Sequence, residues 1–572
     1  MTDKTTDIPS EDHNTAVKPA NVFISEVKPS VWSARDETNS RGGLFSTKLD
    51  AVRYVRTEFQ GSAKIIQTAS LPVAGKSCPS SARSGLSRSA IAKRQCHRIQ
   101  RGTPTRKAER RRNNRAATKP EADIFNRRES AVQSYARAFP LTCSRAKGSL
   151  IWDKDGRKYL DFLAGAGSLN YGHNNPVLKQ ALLEYISSDG ITHSLDLHTC
   201  AKERFLQSFN DTILEPQALD YKIQFTGPTG TNAVEAAIKL ARKVTGRTNV
   251  ISFTNGFHGV SLGSLALTGN SHFRAASGVP LQGAVAMPYD KYLGPDTDTL
   301  DYMQAMLEDP ASGLDHPAAV IVETVQGEGG LNAASFDWLR RLQTICSQNE
   351  ILLIIDDIQA GCGRTGNFFS FTAAGIRPDI ITLSKSISGF GLPMAVVLIK
   401  PEHDQWKPAE HNGTFRGNNH AFVTAAAALD HYWSTEDFAA SIAKKGDLLE
   451  RRLQKIMTQY PDHVVEVRGR GMMRGIRCKD PKQAAAITAH AFNNGAIFER
   501  AGSHDEVIKF LMPLTIESCY LNEGLDILEH AFEAIINPVS AGKTHCAATS
   551  GRTASVARNT TVSKKPDLVE TD

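Results

Sequence analysis

The sequence predicts an α/β protein, with a large domain on a mostly parallel central sheet and a smaller α+β domain. Three observations carry this. Between about residues 177 and 400, short aliphatic runs alternate with amphipathic helical stretches, the pattern of βαβ units. Several runs are apolar throughout, Ile351–Ile355 above all, which marks strands covered on both faces. After residue 410 come longer helices, then "VVEVRGRGMMRGIRC" and "VIKFLMPLTI", a smaller unit of mixed type.

Taken in order, the chain of 572 residues is too long for one core and predicts several domains. Residues 51–120 carry 17 Lys and Arg against two acids, Glu58 and Glu109, whereas residues 121–572 have a net charge of −6. The overall charge of +7 therefore belongs to one segment. Residues 80–120, rich in Ser, Arg, Gly and Asn, lack apolar periodicity. The reading for 1–121 is a basic, disordered extension outside the folded body. A tail for nucleic acid around Arg110-Arg111-Arg112 and a targeting segment are the alternatives. No secretory signal, membrane span or C-x-x-C pair is present in the sequence, so a cytoplasmic, reducing location and no metal centre are expected. Helical spacing of Val132, Tyr135 and Phe139 is followed by a hairpin turning at Asp155-Gly156. Strands are predicted at 221–225, 249–253, 318–323, 351–356, 379–383 and 395–400, with helices at 233–244 and 336–348. The Ser/Thr-rich end, 539–572, reads as a disordered tail.

In open α/β sheets ligands bind beyond the carboxyl ends of the strands, so the residues that follow each strand converge. After 221–225 comes "TGPTGTNAVEAA", where Gly230 and Thr231 open a helix. Unpaired amides and the helix dipole suit a phosphate there, although an ordinary capped turn fits the same residues. After 249–253 stand Phe257 and His258, a flat surface for a ring or a packed core. Asp356 ends a buried strand, where a carboxylate needs a cationic partner or a cap role. Lys385 leaves another strand beside a Gly-rich loop; desolvation there would make it a nucleophile, whereas most lysines are solvated. Pyridoxal 5′-phosphate needs all four groups: a phosphate anchor, a ring platform, a partner for the ring nitrogen and a Schiff-base lysine.

With "FLAGAGSLNYGHNNP", "GPTGTNAVEAA", "SFTNGFHG", "VETVQGEGG", "IIDDIQAGCGRTG", "SKSISGFGLP" and "NGTFRGNN" in place, the chain resembles the class III pyridoxal-phosphate aminotransferases from Ile124 to Pro538. Within them it is similar to the ectoine-pathway diaminobutyrate–2-oxoglutarate branch. The resemblance implies fold type I, with 122–176 and 411–538 forming the small domain and 177–410 the large cofactor-binding domain. It implies that Lys385 carries the cofactor and Asp356 faces the ring nitrogen. Gln359 would bond the ring hydroxyl, Ile358 and Phe257 would pack on the two ring faces, and Gly230 and Thr231 would hold the phosphate. Thr414 would reach the neighbouring subunit's cofactor, which implies at least a homodimer with shared sites. Two departures stand out. Glu328 matches a glutamate that pairs with a switch arginine in related enzymes, yet the arginine position is Lys509, without the bidentate fork for a carboxylate. The phosphate loop also reads Thr-Asn where many relatives have Ser-Glu.

The reaction implied is transfer of the amino group of L-glutamate to L-aspartate 4-semialdehyde, giving L-2,4-diaminobutyrate and 2-oxoglutarate at the first step of ectoine biosynthesis. The alternative within the family is another ω-amino specificity: siderophore diaminobutyrate, ornithine or 4-aminobutyrate. An aminomutase on the same scaffold would not need 2-oxoglutarate. A nucleic-acid-binding protein with a relict enzyme domain would not need Lys385, Asp356 and Gln359. Neither a membrane nor nucleic acid is an expected partner.

Overall fold

The computed structural model describes residues 21–28, 31–36, 42–45, 51, 64–67 and 124–537. It divides into two units, Met1–Pro120 and Glu121–Asp572. The first holds a four-stranded sheet ordered Gly42–Phe45, Val31–Asp36, Asn21–Lys28, Lys64–Gln67. Asn21–Lys28 pairs antiparallel with Val31–Asp36 and parallel with Lys64–Gln67. Val22 and Ile24 are both buried, the period-2 signature of a strand with one covered face. The reading of 1–121 as a basic, disordered extension rests on the composition of 80–120; the β-branched and aromatic runs before that stretch supply most of this sheet. The arginine-rich stretch 80–120 and the tail 539–572 lie outside the described residues.

In the second unit the strands are β1 Lys222–Phe225, β2 Val250–Phe253, β3 Ala284–Met287, β4 Ala319–Val322, β5 Leu352–Asp356, β6 Ile380–Leu383 and β7 Val396–Ile399. They form one sheet in the order β3-β2-β4-β5-β6-β7-β1. Pairing is parallel from β3 to β6, and β7 runs antiparallel to both neighbours. Helix α1, Gly230–Thr245, follows β1, and α2, Phe336–Gln348, precedes β5.

The unbroken aliphatic runs follow from this architecture. Val250, Ala319, Ile321, Ile354 and Ile380 point to one face, where Ala233, Val234, Ala237, Ile238 and Ala241 of α1 cover them. Ile251, Val320, Leu353, Ile355 and Ile381 point to the other, against Trp338, Leu339, Leu342 and Ile345 of α2. Both faces are covered, so apolar residues dominate both parities, and buried polar residues such as Thr382 and Asp356 stand at or near strand ends.

A separate core unites the two ends of this unit. The hairpin strands Leu150–Asp153 and Lys158–Asp161 join Cys143–Lys147 in a sheet closed by Ala496–Ile497, which pairs parallel with Lys158–Asp161. A second small sheet comprises Val464–Arg470, Met473–Cys478, Val507–Phe510 and Glu499–Ala501. Helices Asp437–Gln459, Pro481–Asn493 and Ser518–Ile536 contribute Leu449, Ile487 and Leu525 to the same apolar cluster as Leu160 and Phe510.

Candidate active site

The carboxyl ends of β2, β5 and β6 and the start of α1 bring the chemistry-bearing residues together. β6 ends at Leu383, and Lys385 opens a short 3-10 turn with φ at +49°. A left-handed lysine stores about 1–3 kcal/mol of strain, which the surrounding fold must hold in place. Burial, the largest influence, keeps its ammonium below the ordinary lysine range; the like charge of Lys509 acts the same way, against the opposing pull of Glu328.

Asp356 is the last residue of β5 and is buried. Its Oδ1 accepts from the Thr382 hydroxyl at 3.2 Å and the Ile358 amide at 3.3 Å. Its Oδ2 lies 2.7 Å from His258 Nδ1. His258 is itself buried; burial disfavours its charged form, but the hydrogen bond to Asp356 and the charges of Asp356 and Glu323 outweigh this and raise its pKa. His258 therefore stands behind Asp356 and fixes its orientation. Glu323, missed in the sequence, ties the β2 loop to β4. It accepts from the Phe257 amide at 2.9 Å and the Gly327 amide at 3.0 Å, and burial raises its pKa. The adjacent Asp357 points elsewhere, to the Ser370 amide and hydroxyl, and burial pushes it up to about 7.

At the start of α1, Thr229 caps the helix by accepting from the Asn232 amide. The first-turn amides have no acceptor within the helix. A Cβ added to Gly230 would stand 3.1 Å from Ile358 Cδ1, so the loop and Ile358 are already in close contact. Thr231 Oγ1 sits 2.6 Å from both Ser261 and Ser264 hydroxyls, and Ser261 in turn donates to Glu235. Thr414 lies on the exposed turn Thr414–Arg416, beside Phe415 at 67% exposure.

Lys385, Phe257, Ala166, Glu328, Tyr135 and Glu499 all line one cavity of about 520 Å³. Lys509, fully buried, pairs with Glu328 at 2.8 Å and with Glu499 at 3.2 Å. Burial works against the Glu328 carboxylate, yet Lys509 and Lys385 hold it below the usual carboxylate range. The Tyr135 hydroxyl donates to Glu499 at 2.8 Å. The pairing of Tyr135 with Glu499 escaped the sequence reading, which placed Tyr135 only in a helical spacing, because the two are 364 residues apart and no local pattern signals it.

These residues fit pyridoxal 5′-phosphate. Gln359 has a buried Oε1 with no partner among the described residues, poised for a ring substituent. The contact of Gly230 with Ile358 sets the start of α1 beside the residues that follow β5, and Asp356 offers a carboxylate already fixed by three groups.

Fold and site together define a pyridoxal-phosphate transferase of fold type I. The solved structures of a Toxoplasma gondii ornithine aminotransferase (24% identity, TM-score 0.63, 72% of this chain and 94% of that one) and of an S-selective transaminase from Arthrobacter sp. (20%, 0.65, 73% and 98%) share the fold. The family model described as aminotransferase class-III matches residues 131–532, and the chain belongs to that family. Pyridoxal phosphate is accordingly its cofactor. Among curated relatives, the diaminobutyrate–2-oxoglutarate transaminases of Vibrio cholerae and Vibrio parahaemolyticus are 60% and 58% identical over 407 and 413 residues. The matches span 71% and 72% of this chain and 98% of each relative. That of Halomonas elongata is 58% identical over 72% of this chain and 98% of its own length.

Proposed function

We propose that the chain transfers the amino group of L-glutamate to L-aspartate 4-semialdehyde, yielding L-2,4-diaminobutyrate and 2-oxoglutarate as the first step of ectoine biosynthesis in the cytoplasm. The observation that carries this reading is the 58–60% identity to diaminobutyrate–2-oxoglutarate transaminases over 98% of their lengths. When bound, pyridoxal phosphate supplies an aldehyde for the amino group and a ring that withdraws electrons from the substrate carbon.

The chain's own residues then have distinct tasks. Gly230 and Thr231 present helix amides and a hydroxyl to the phosphate. Ile358 and Phe257 would confine the ring, and Gln359 Oε1 would accept from its hydroxyl. Asp356, held by His258 and Thr382, keeps a facing ring nitrogen protonated. Lys385 anchors the cofactor, and its lowered pKa suits the second task of taking the proton from the substrate carbon that bears the amine. Thr414, on its exposed turn, reaches the phosphate of a neighbouring copy, so the working unit is at least a homodimer.

The test is a half-reaction assay on purified protein loaded with cofactor. Loss of the long-wavelength cofactor absorbance is followed after adding L-2,4-diaminobutyrate, ornithine or 4-aminobutyrate. Fastest bleaching by diaminobutyrate, with recovery on adding 2-oxoglutarate, is expected. Faster bleaching by either of the others would replace the substrate assignment.

A further inference from the structure

Glu323 follows β4 directly and is buried. Both of its oxygens are spent on backbone amides, and the two amides belong to different loops. Oε2 accepts from Phe257, in the loop after β2, and Oε1 accepts from Gly327, which immediately precedes Glu328. Only a carboxylate offers an acceptor at both ends; a glutamine of the same shape would turn its NH2 group toward one of the two amides. A buried anion is costly, and a neutral side chain could serve either loop alone. The two loops also meet further out. Gln326 Nε2 donates to the Thr254 carbonyl at 2.8 Å, and a Cβ added to Gly329 would stand 2.2 Å from the Asn255 carbonyl oxygen. Glu323 thus lies at the root of a joined pair of loops, and Phe257 and Glu328, one on each, line the same cavity as Lys385.

We propose that Glu323 is a positioning residue for transamination: it fixes the spacing between Phe257, on the cofactor side of the cavity, and Glu328, on the substrate side. It acts through those two residues and not on the reacting atoms. A displacement of either loop is passed to the other through its carboxylate. This role rests on the reading of the cavity as the transamination site.

The test is the single-turnover half-reaction of cofactor-loaded protein, with rates taken per bound cofactor. It uses whichever amine bleaches the wild type fastest, so a different substrate leaves the comparison intact. Glu323→Gln is expected to slow bleaching about 30-fold. It should also weaken the visible circular dichroism of the bound cofactor while the far-ultraviolet signal stays unchanged. In a Phe257→Leu, Glu328→Gln background the same substitution should slow bleaching by no more than about threefold, because the groups that Glu323 places are gone. Glu323→Asp keeps two acceptors on a shorter arm. It should still lose at least about tenfold, since spacing and not charge is what the loops require, and it serves if the glutamine variant does not fold. An unchanged rate per bound cofactor in Glu323→Gln, an equal loss in the double background, or full activity in the aspartate variant would each overturn the proposal. A wild type bleached by none of the amines would instead overturn the reading of the site itself.

Discussion

Lys385, left-handed with φ at +49°, and Asp356, at the end of the neighbouring strand, are the residues proposed to set the chemistry. Lys385→Ala is expected to lower transamination at least ~10⁴-fold, measured in steady state with added cofactor. Asp356→Asn should still bind cofactor but turn over about 10²–10³-fold more slowly; near-normal rates in either variant would remove that residue from the site. Protonation has a definite sign here. His258, Glu323 and Asp357, the last raised to about 7, all hold protons in the folded chain that the unfolded chain releases earlier. Their stabilising effect is complete below the unfolded values and is lost as pH rises through the folded ones. Glu328, with a lowered pKa, has the opposite sign, and its contribution is already complete above about pH 4.3. Tm should therefore fall between about pH 5 and pH 8, and Asp357→Asn should flatten that fall; a rise in Tm across this window would contradict the assignment. Residues that follow predicted strands were legible as a converging set, because sheet topology alone brings Lys385, Asp356, Phe257 and Gly230 together. Tyr135 and Glu499 were not, since only the tertiary fold places a side chain from the start of this unit beside one near its end.

At the level of elements, the central strands were legible to within about one residue, because burial on both faces leaves no polar interruptions in Leu352–Ile355 or Val396–Ile399. Ala284–Met287 went unread. It is an edge strand, short, with Ala286 exposed, so it carries neither a long aliphatic run nor a clean alternation. The contact between the start of α1 and Ile358 yields a prediction of its own. Gly230→Val would force branched atoms into a space where even a Cβ meets Ile358 at 3.1 Å. Cofactor affinity should fall about tenfold or more, measured by absorbance titration of the apoprotein, with the helix itself intact by circular dichroism. An unaltered affinity would show that the loop relaxes freely. By contrast, Ser335→Ala removes the cap of α2, which accepts from Trp338 N–H. It should cost about 1 kcal/mol of stability and leave the kinetics alone.

For the molecule as a whole, the aminotransferase resides in one unit, and the class III match begins at residue 131, beyond the basic segment. Removing residues 1–120 is expected to keep kcat/KM within about twofold; a large drop, or weaker cofactor binding, would give that first unit a part in catalysis. Composition located the charge of the basic segment but not the small sheet, three of whose four strands lie before it, at 21–45, where short β-forming runs stand among polar residues. The pairing of Leu160 with Ala496 has a consequence for biosynthesis. A nascent chain emerging from the ribosome holds its early hairpin with one edge open until nearly all of the polypeptide has been made. Premature termination anywhere before that point leaves an unsealed edge and no wall for the cavity, so prematurely ended products are marked for aggregation or degradation rather than for partial activity.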